Sequence, residues 1–125
     1  MLAVPLIELH AETFSHAIAR GTTLVWWWAP SCSPSRAFHR ICGAAAARHP
    51  HIVFASVDTD HEPALAAAMH IRALPTLMVF LDHTAVFSHA GFHVAETLDA
   101  LIHAVGRLEV RRRTHGSRLH RSYDA

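Results

Sequence analysis

A single cysteine stands where a bulky apolar run gives way to a helix-forming segment. Cys32 follows residues 24–28, Leu-Val-Trp-Trp-Trp, which are typical of a buried strand, and it precedes Ser33 and Pro34. Proline is tolerated in the first turn of a helix, where its missing amide hydrogen would have no partner, so a helix is expected to begin here. A thiol at that point lies beside unpaired amides at the positive end of the helix dipole, and both favour the thiolate. Because the thiolate is the nucleophile of sulfur chemistry, the pattern predicts a reactive Cys32.

The other groups that could do chemistry fit structural roles better. Cys42 lies ten residues further along the predicted helix, about 15 Å away, and a disulfide needs Cα atoms within about 7 Å. It follows Phe38 and Ile41 at helical core spacing, so a buried thiol is expected. His39 lies two turns beyond Cys32, too far along the helix to act as its direct base. The other histidines lack the spacing of metal ligands, so neither a metal nor a cofactor is predicted.

Two motifs carry a family resemblance. Residues 28–36 read W-A-P-S-C-S-P-S-R, and residues 71–76 read I-R-A-L-P-T. The first resembles the active-site loop of the thioredoxin family, W-A-x-x-C-x-P-C-[K/R], and the second resembles the family's loop with a cis-proline that faces the active-site cysteine. Gly91 is a third and weaker match. The resemblance covers roughly residues 6–108 and implies a thioredoxin fold, an α/β architecture with a central mixed β-sheet flanked by helices.

The resemblance also implies roles for individual residues. Cys32 would be the nucleophile of thiol–disulfide exchange, while Ser35 stands where the family has its second cysteine. The Ser35 hydroxyl is expected to hydrogen-bond the Cys32 thiolate, but it cannot attack a mixed disulfide, so an outside thiol such as glutathione must release the product. The residues expected to line the substrate groove are Trp28, Pro34, Leu74, Pro75 and Gly91.

Two further departures from the family accompany Ser35. The family usually buries an acid two positions ahead of the motif's tryptophan, where this chain has Trp26, and often pairs it with a lysine, where this chain has Ser56. Neither residue can move a proton. Loss of the second thiol together with this proton machinery indicates a native single-thiol protein. An engineered cysteine-to-serine trap at Ser35 would leave Trp26 and Ser56 unexplained.

Three functions are therefore weighed. The leading hypothesis is a thioredoxin-like oxidoreductase that works through Cys32, with disulfide-containing or thiol proteins and glutathione as partners. The alternative is a redox-inactive thioredoxin-fold module that binds proteins in the same groove without turnover. Peroxide reduction at Cys32 is a weaker third reading, because no resolving cysteine is within reach and no peroxidase signature is visible.

The elements that must position these residues follow from the apolar pattern. Strands and helices alternate, and a hairpin and a final helix follow, which indicates an α/β fold with a mixed sheet. The predicted strands are 6–9, 22–29, 52–58, 76–81 and 85–89. The predicted helices are 13–20, 33–48, 64–70 and 94–108, and the last carries Leu98, Leu101, Ile102 and Val105 on one face.

Composition adds a boundary near the C-terminus. The chain has 125 residues and 51% apolar content, with no apolar run of about 20 residues and no secretion signal, which predicts a soluble, cytoplasmic protein without a membrane span. Residues 1–110 hold six arginines and nine acids, whereas residues 111–125 hold five arginines and Asp124. The first range is predicted to be the thioredoxin-like domain and the second a basic, flexible tail. The tail is either a solvated end, the favoured interpretation, or a contact for an anionic partner.

Overall fold

The computed structural model describes residues 7–91 and 95–124, so the predicted element ends at Leu6 and Val94 lie outside the described residues. Strands and helices alternate along these ranges, except that two consecutive strands precede the last helix. The strands are β1 (Ile7–Glu8), β2 (Thr22–Trp28), β3 (Val53–Asp58), β4 (Thr76–Leu81) and β5 (Thr84–Ala90). The helices are α1 (Ala11–Ala17), α2 (Ser33–Arg48), α3 (Pro63–Ala68) and α4 (Ala95–Asp124).

The strands form one mixed sheet in the order β1-β3-β2-β4-β5. The neighbours β1, β3 and β2 run parallel, whereas β4 is antiparallel to both β2 and β5. The register places Trp28 opposite Asp58 of β3, and Trp27 opposite Thr76 of β4. This arrangement confirms the α/β fold with a central mixed sheet that the sequence predicts.

The three tryptophans of β2 point to both faces of the sheet, because successive side chains of a strand alternate. Trp27 belongs to the apolar cluster that includes residues of α1 and α3, and its ring lies 5.6 Å from that of Phe14. Trp26 and Trp28 lie on the other face, where both contact His39 of α2. The buried members of the cluster are Leu9, Phe14, Ile18, Val25, Trp27, Ala55, Val57, Ala66, Met78 and Phe80.

Helix α4 extends further than the sequence pattern suggests. The predicted end at Leu108 is wrong, since the helix continues to Asp124. The apolar periodicity fades after Leu108, but the arginine-rich residues that follow are good helix formers and include no proline. Leu98, Ile102 and Val105 are buried at the predicted helical spacing. The flexibility of residues 111–125 stays a prediction.

Membrane insertion through a helix requires both sufficient length and sufficient apolar character. Across the described ranges, no helix combines enough length with enough apolar character to cross a bilayer.

Candidate active site

Cys32 is the N-cap residue of α2, in an extended conformation with φ −111° and ψ 112°. The Cys32 amide donates to the Ala29 carbonyl at 3.0 Å, and the Cys32 carbonyl accepts from the Arg36 amide at 3.0 Å. Within the described residues the thiol makes no capping hydrogen bond, and it is free and partly exposed. The backbone of Cys32 is therefore fixed at the helix N-terminus, while its sulfur remains available to a reactant.

Ser35 lies one turn further along α2 and is fully buried, with 0% of its surface exposed. Its hydroxyl accepts a hydrogen bond from the Ala29 amide at 3.0 Å. Two carbonyl oxygens, those of Ala29 and Cys32, each lie 2.9 Å from the hydroxyl oxygen, and the single hydroxyl proton goes to one or the other. The structure thus gives this hydroxyl backbone partners in place of the predicted contact with the thiolate. Its observed contacts hold the start of α2 against the loop that leaves β2.

The loop between β2 and α2 is held from two further sides. Arg36 donates from Nη1 to the Pro30 carbonyl at 2.7 Å. The Asp60 carboxylate accepts hydrogen bonds from the Ser31 amide at 3.3 Å and from the Ser31 hydroxyl at 3.2 Å. The backbone just before the nucleophile is therefore anchored both by α2 and by the loop after β3. No sequence pattern points to Asp60, because its partner Ser31 lies 29 residues away in the chain.

The second motif reaches the same end of the sheet. The peptide bond between Leu74 and Pro75 is cis, and Pro75 immediately precedes Thr76, which pairs with Trp27. The Pro75 carbonyl accepts a hydrogen bond from the Gly91 amide at 2.8 Å. Pro75 is buried, and the Leu74 side chain packs against the apolar cluster. Pro75 and Gly91 therefore lie where β4 begins and β5 ends, beside the end of β2 that leads to the cysteine.

The remaining predicted groove residues are at the surface. Pro34 is exposed in the first turn of α2, and Trp28 is partly exposed at the end of β2. Both belong to the segments that flank Cys32. The structure thus attaches all five predicted groove residues to the loops and strand ends around this edge of the sheet.

Three aromatic rings of β2 and α2 contact one another, one pair through a hydrogen bond and the other through stacking. Trp26 is fully buried, and its indole Nε1–H donates to Nδ1 of His39 at 2.9 Å. The His39 ring stacks on the Trp28 indole, with 3.9 Å between ring centroids and 17° between the planes. The Trp28 Nε1 atom is buried and has no hydrogen-bond partner among the described residues. The apolar run 24–28 predicts a buried Trp26 but not its contact with His39. No short sequence pattern signals this contact, because it depends on which side chains of β2 and α2 meet.

Burial shifts the pKa of two side chains of α2, Cys42 and His39. Burial raises the pKa of the Cys42 thiol far above that of a free cysteine, so this group stays protonated and unreactive. Burial also lowers the pKa of His39; Arg40 acts in the same direction, whereas Glu8 and Asp58 oppose it. Among the described residues, no group of three or more His, Cys, Asp or Glu side chains is placed to hold a metal ion.

The sheet order and the cysteine at the start of α2 define a thioredoxin-like α/β protein. Residues 5–104 match the family model for thioredoxin, and the chain therefore belongs to the thioredoxin family. Fold comparison supports the thioredoxin-like fold. The structure matches a variant thioredoxin from Halobacterium salinarum with a TM-score of 0.73 and 24% identity, over 79% of this chain and 88% of that one.

Sequence relatives carry the same family name. The chain is 36% identical to putative thioredoxin 2 of Streptomyces coelicolor, over 68% of this chain but 64% of that protein. It is 32% identical to thioredoxin C-3 of Corynebacterium nephridii, over 73% of this chain and 64% of the relative. It is also 32% identical to the thioredoxin of Chlamydia trachomatis, over 73% of this chain and 89% of the relative. The chain thus spans slightly less than two thirds of the first two relatives.

Proposed function

We propose that this chain carries out thiol–disulfide exchange through Cys32 alone. The observation that carries the proposal is the contrast between two side chains at the start of α2. The Cys32 thiol is free and partly exposed at the N-cap, whereas the Ser35 hydroxyl, at the position of a second thiol, is buried and bonded to the backbone. This arrangement supplies a nucleophile and supplies no group that could resolve its product.

The exchange proceeds in two stages, formation of a mixed disulfide at Cys32 and its resolution by two outside thiols. The Cys32 thiolate attacks one sulfur of a substrate disulfide, forms a mixed disulfide with it and releases the other sulfur as a thiolate. An outside thiolate, for which we propose glutathione, then attacks the Cys32 sulfur and releases the substrate thiolate. A second glutathione regenerates Cys32, so the substrate gains two electrons and two glutathione molecules become glutathione disulfide. A reducing compartment such as the cytoplasm would supply that thiol, and we propose that the chain works there.

The substrate is a protein or peptide disulfide in an extended conformation. We assign its binding to the groove formed by the segments that carry Trp28, Pro34 and Gly91, together with Leu74 and Pro75. The Leu74 peptide unit just before the cis-proline is the group we expect to pair with the substrate backbone, as in strand addition. Because Leu74 packs its side chain on the apolar cluster, its main chain is held in place for that contact.

The test restores the missing thiol. Ser35→Cys is expected to raise the reduction of insulin disulfides at least about tenfold, because an internal thiol replaces a bimolecular release step by an intramolecular one. The matched control is the double variant Cys32→Ala with Ser35→Cys, which has the new thiol but no nucleophile and should be inactive. No increase in the single variant would contradict the proposal that only the second thiol is missing.

A second candidate function, a protein-binding module without turnover, is favoured by Trp26 and Ser56. Both are buried, with 0% and 3% of their surfaces exposed, and neither can move a proton to or from a thiol. The two functions differ in how they depend on Cys32. A peptide whose cysteine carries a thionitrobenzoate leaving group should release the coloured thiol with the unchanged chain but not with Cys32→Ala. Equal binding of the peptide by both chains without release would favour the module.

A further inference from the structure

The orientation of Trp28 depends on its stacking partner. Its backbone is fixed, because the Trp28 carbonyl accepts hydrogen bonds from the amide and the hydroxyl of Thr59, at 2.8 Å and 3.2 Å. Its indole nitrogen has no hydrogen-bond partner among the described residues, so this nitrogen does not orient the ring. The ring instead lies against the face of His39, with 3.9 Å between the ring centroids and 17° between the planes.

His39 can hold that position only as a neutral imidazole. The indole N–H of Trp26 donates a hydrogen bond to Nδ1, so the neutral ring carries its own proton on Nε2. Protonation would place an N–H at Nδ1, directly facing the N–H of Trp26. The cation would gain attraction to the π face of Trp28, but the buried indole of Trp26 would lose its acceptor at 0% exposure, where water cannot replace it.

The groups that face His39 do not remove this conflict. Its neighbours from three elements are Glu8 in β1, Asp58 in β3 and Arg40 in α2 itself. The two carboxylates favour the cation. Desolvation and Arg40 act in the opposite direction and outweigh the carboxylates, so the pKa of His39 falls below its ordinary value of 6.5. Asp58 is moreover engaged by His61, whose ring nitrogen lies 3.0 Å from its carboxylate. The neutral ring therefore prevails at neutral pH, and the charged ring appears only on acidification.

We propose that His39 is a positioning residue for disulfide exchange: in its neutral form it fixes the Trp28 indole beside the Cys32 groove, and its protonation releases that indole. The inference rests on the proposed function at Cys32. It assigns the binding of extended peptide disulfides, and not the intrinsic reactivity of the thiol, to the state of His39. Exchange with a peptide should therefore weaken in acid beyond what the loss of thiolate explains.

The kinetic test compares two reagents at the same thiol. The thionitrobenzoate peptide uses the groove, whereas iodoacetamide is too small to need it, and both react with the Cys32 thiolate. The ratio of the two rate constants therefore cancels the titration of Cys32. In the unchanged chain this ratio should fall about fivefold between roughly pH 7.5 and 5, the effect of losing one hydrogen bond and the stack that it supports.

Substitutions at His39 separate its titration from its bulk. His39→Asn keeps an acceptor near the position of Nδ1 but cannot take up a proton in this range, and His39→Phe keeps the stacked ring without the acceptor. In both variants the ratio of the two rate constants should lose its pH dependence. At neutral pH the Asn variant should retain the hydrogen bond of Trp26. The matched control is His16→Asn on the exposed side of α1, which should keep the pH profile of the unchanged chain.

A spectroscopic measurement checks the contact without any reaction. The indole ¹⁵N–¹H signal of Trp26, assigned with Trp26→Phe, should shift in His39→Phe and should move on acidification of the unchanged chain with the same midpoint as the rate ratio. A signal that is insensitive to His39 and to pH would overturn the inference. Normal peptide exchange with a pH-independent ratio would also overturn it while leaving the proposed function intact. Absence of any Cys32-dependent exchange, with a pH-sensitive Trp26 signal, would instead contradict the proposed function and with it the role in exchange.

Discussion

At the scale of single residues, Gly91 combines a positive-φ backbone with a structural contact of the site. Its φ of +135° is one that L side chains rarely adopt, and a Cβ atom there would lie 3.2 Å from Cε1 of His89. Its amide also holds the Pro75 carbonyl at 2.8 Å. The residue thus serves the groove through its backbone, and the absence of a side chain is what permits its conformation.

Gly91→Ala should lower the free energy of unfolding by about 1–3 kcal/mol, because the new side chain strains both the dihedral angle and the neighbouring ring. Denaturant unfolding followed by fluorescence measures the change. Gly106→Ala is the matched control: Gly106 lies inside α4, and its Cβ would meet nothing within 4 Å. That variant should gain about 0.5–1 kcal/mol of helix propensity. Equal effects at the two glycines would contradict this reasoning.

The pH dependence of stability should reveal His61. Its hydrogen bond with Asp58 and the charge of that carboxylate raise the pKa of His61 above its ordinary 6.5. The interaction therefore contributes fully below 6.5 and is lost as the pH rises through the higher pKa of the folded state. The difference in Tm between the unchanged chain and His61→Gln should be larger near about pH 5.5 than near about pH 8. A difference that is constant over this range would show that the pair does not titrate as described.

Some residues of the site could be predicted from their neighbours in the sequence, whereas others depend on contacts between distant parts of the chain. Cys32 at a helix start and the segment around Pro75 were predictable, because a proline in a first turn and a local motif are read from adjacent residues. The partners of Ser35 and the stack of His39 on Trp28 were not. Both depend on which atoms of two different layers come within hydrogen-bond or stacking distance, and no short pattern encodes that.

At the scale of elements, α2 is joined to β2 by the side chain of Ser35. Because its hydroxyl bonds the amide of Ala29 and a carbonyl of the same loop, it ties the helix start to the strand end. The loop carries Cys32, so this attachment fixes the origin of the nucleophile relative to the sheet.

Ser35→Ala should therefore lower the free energy of unfolding by about 1–3 kcal/mol, since it leaves a buried amide without an acceptor. Ser33→Ala is the appropriate comparison, because Ser33 is exposed two residues earlier on the same helix. It should change stability by less than about 0.5 kcal/mol. A Ser35→Ala chain as stable as the Ser33→Ala chain would show that the observed hydrogen bonds do not support the fold.

The elements themselves were largely predictable, with errors at their ends. The predicted bounds of α2 and β4 are those observed, because Pro34 and Pro50 mark the helix ends and a continuous apolar run marks the strand. The prediction for α1 begins two residues late, at Thr13, since the residue at the observed N-cap, His10, is not a usual cap. The end of α4 was missed because an arginine-rich sequence is compatible both with a helix and with a solvated, flexible tail.

For the whole molecule, the two cysteines distinguish the native state from the unfolded one. Cys32 is partly exposed, whereas Cys42 has 0% of its surface exposed and its thiol pKa is raised by burial. Iodoacetamide should therefore modify one cysteine in the native chain and both after denaturation, as counted by mass spectrometry. Modification of Cys42 should accelerate in Ser35→Ala, because a less stable chain opens more often. Rapid double labelling of the unchanged native chain would contradict the burial of Cys42.

The hydrogen bond between Trp26 and His39 also constrains how this chain could have arisen and diverged. A histidine on α2 is harmless without its partner, whereas a tryptophan at the centre of β2 without an acceptor leaves a buried N–H unsatisfied. A tryptophan at this position therefore costs less stability where the histidine, or another acceptor, is already present. Among relatives of this chain, a tryptophan aligned with Trp26 should occur more often with an acceptor aligned with His39 than without one, so the two positions are expected to evolve as a linked pair.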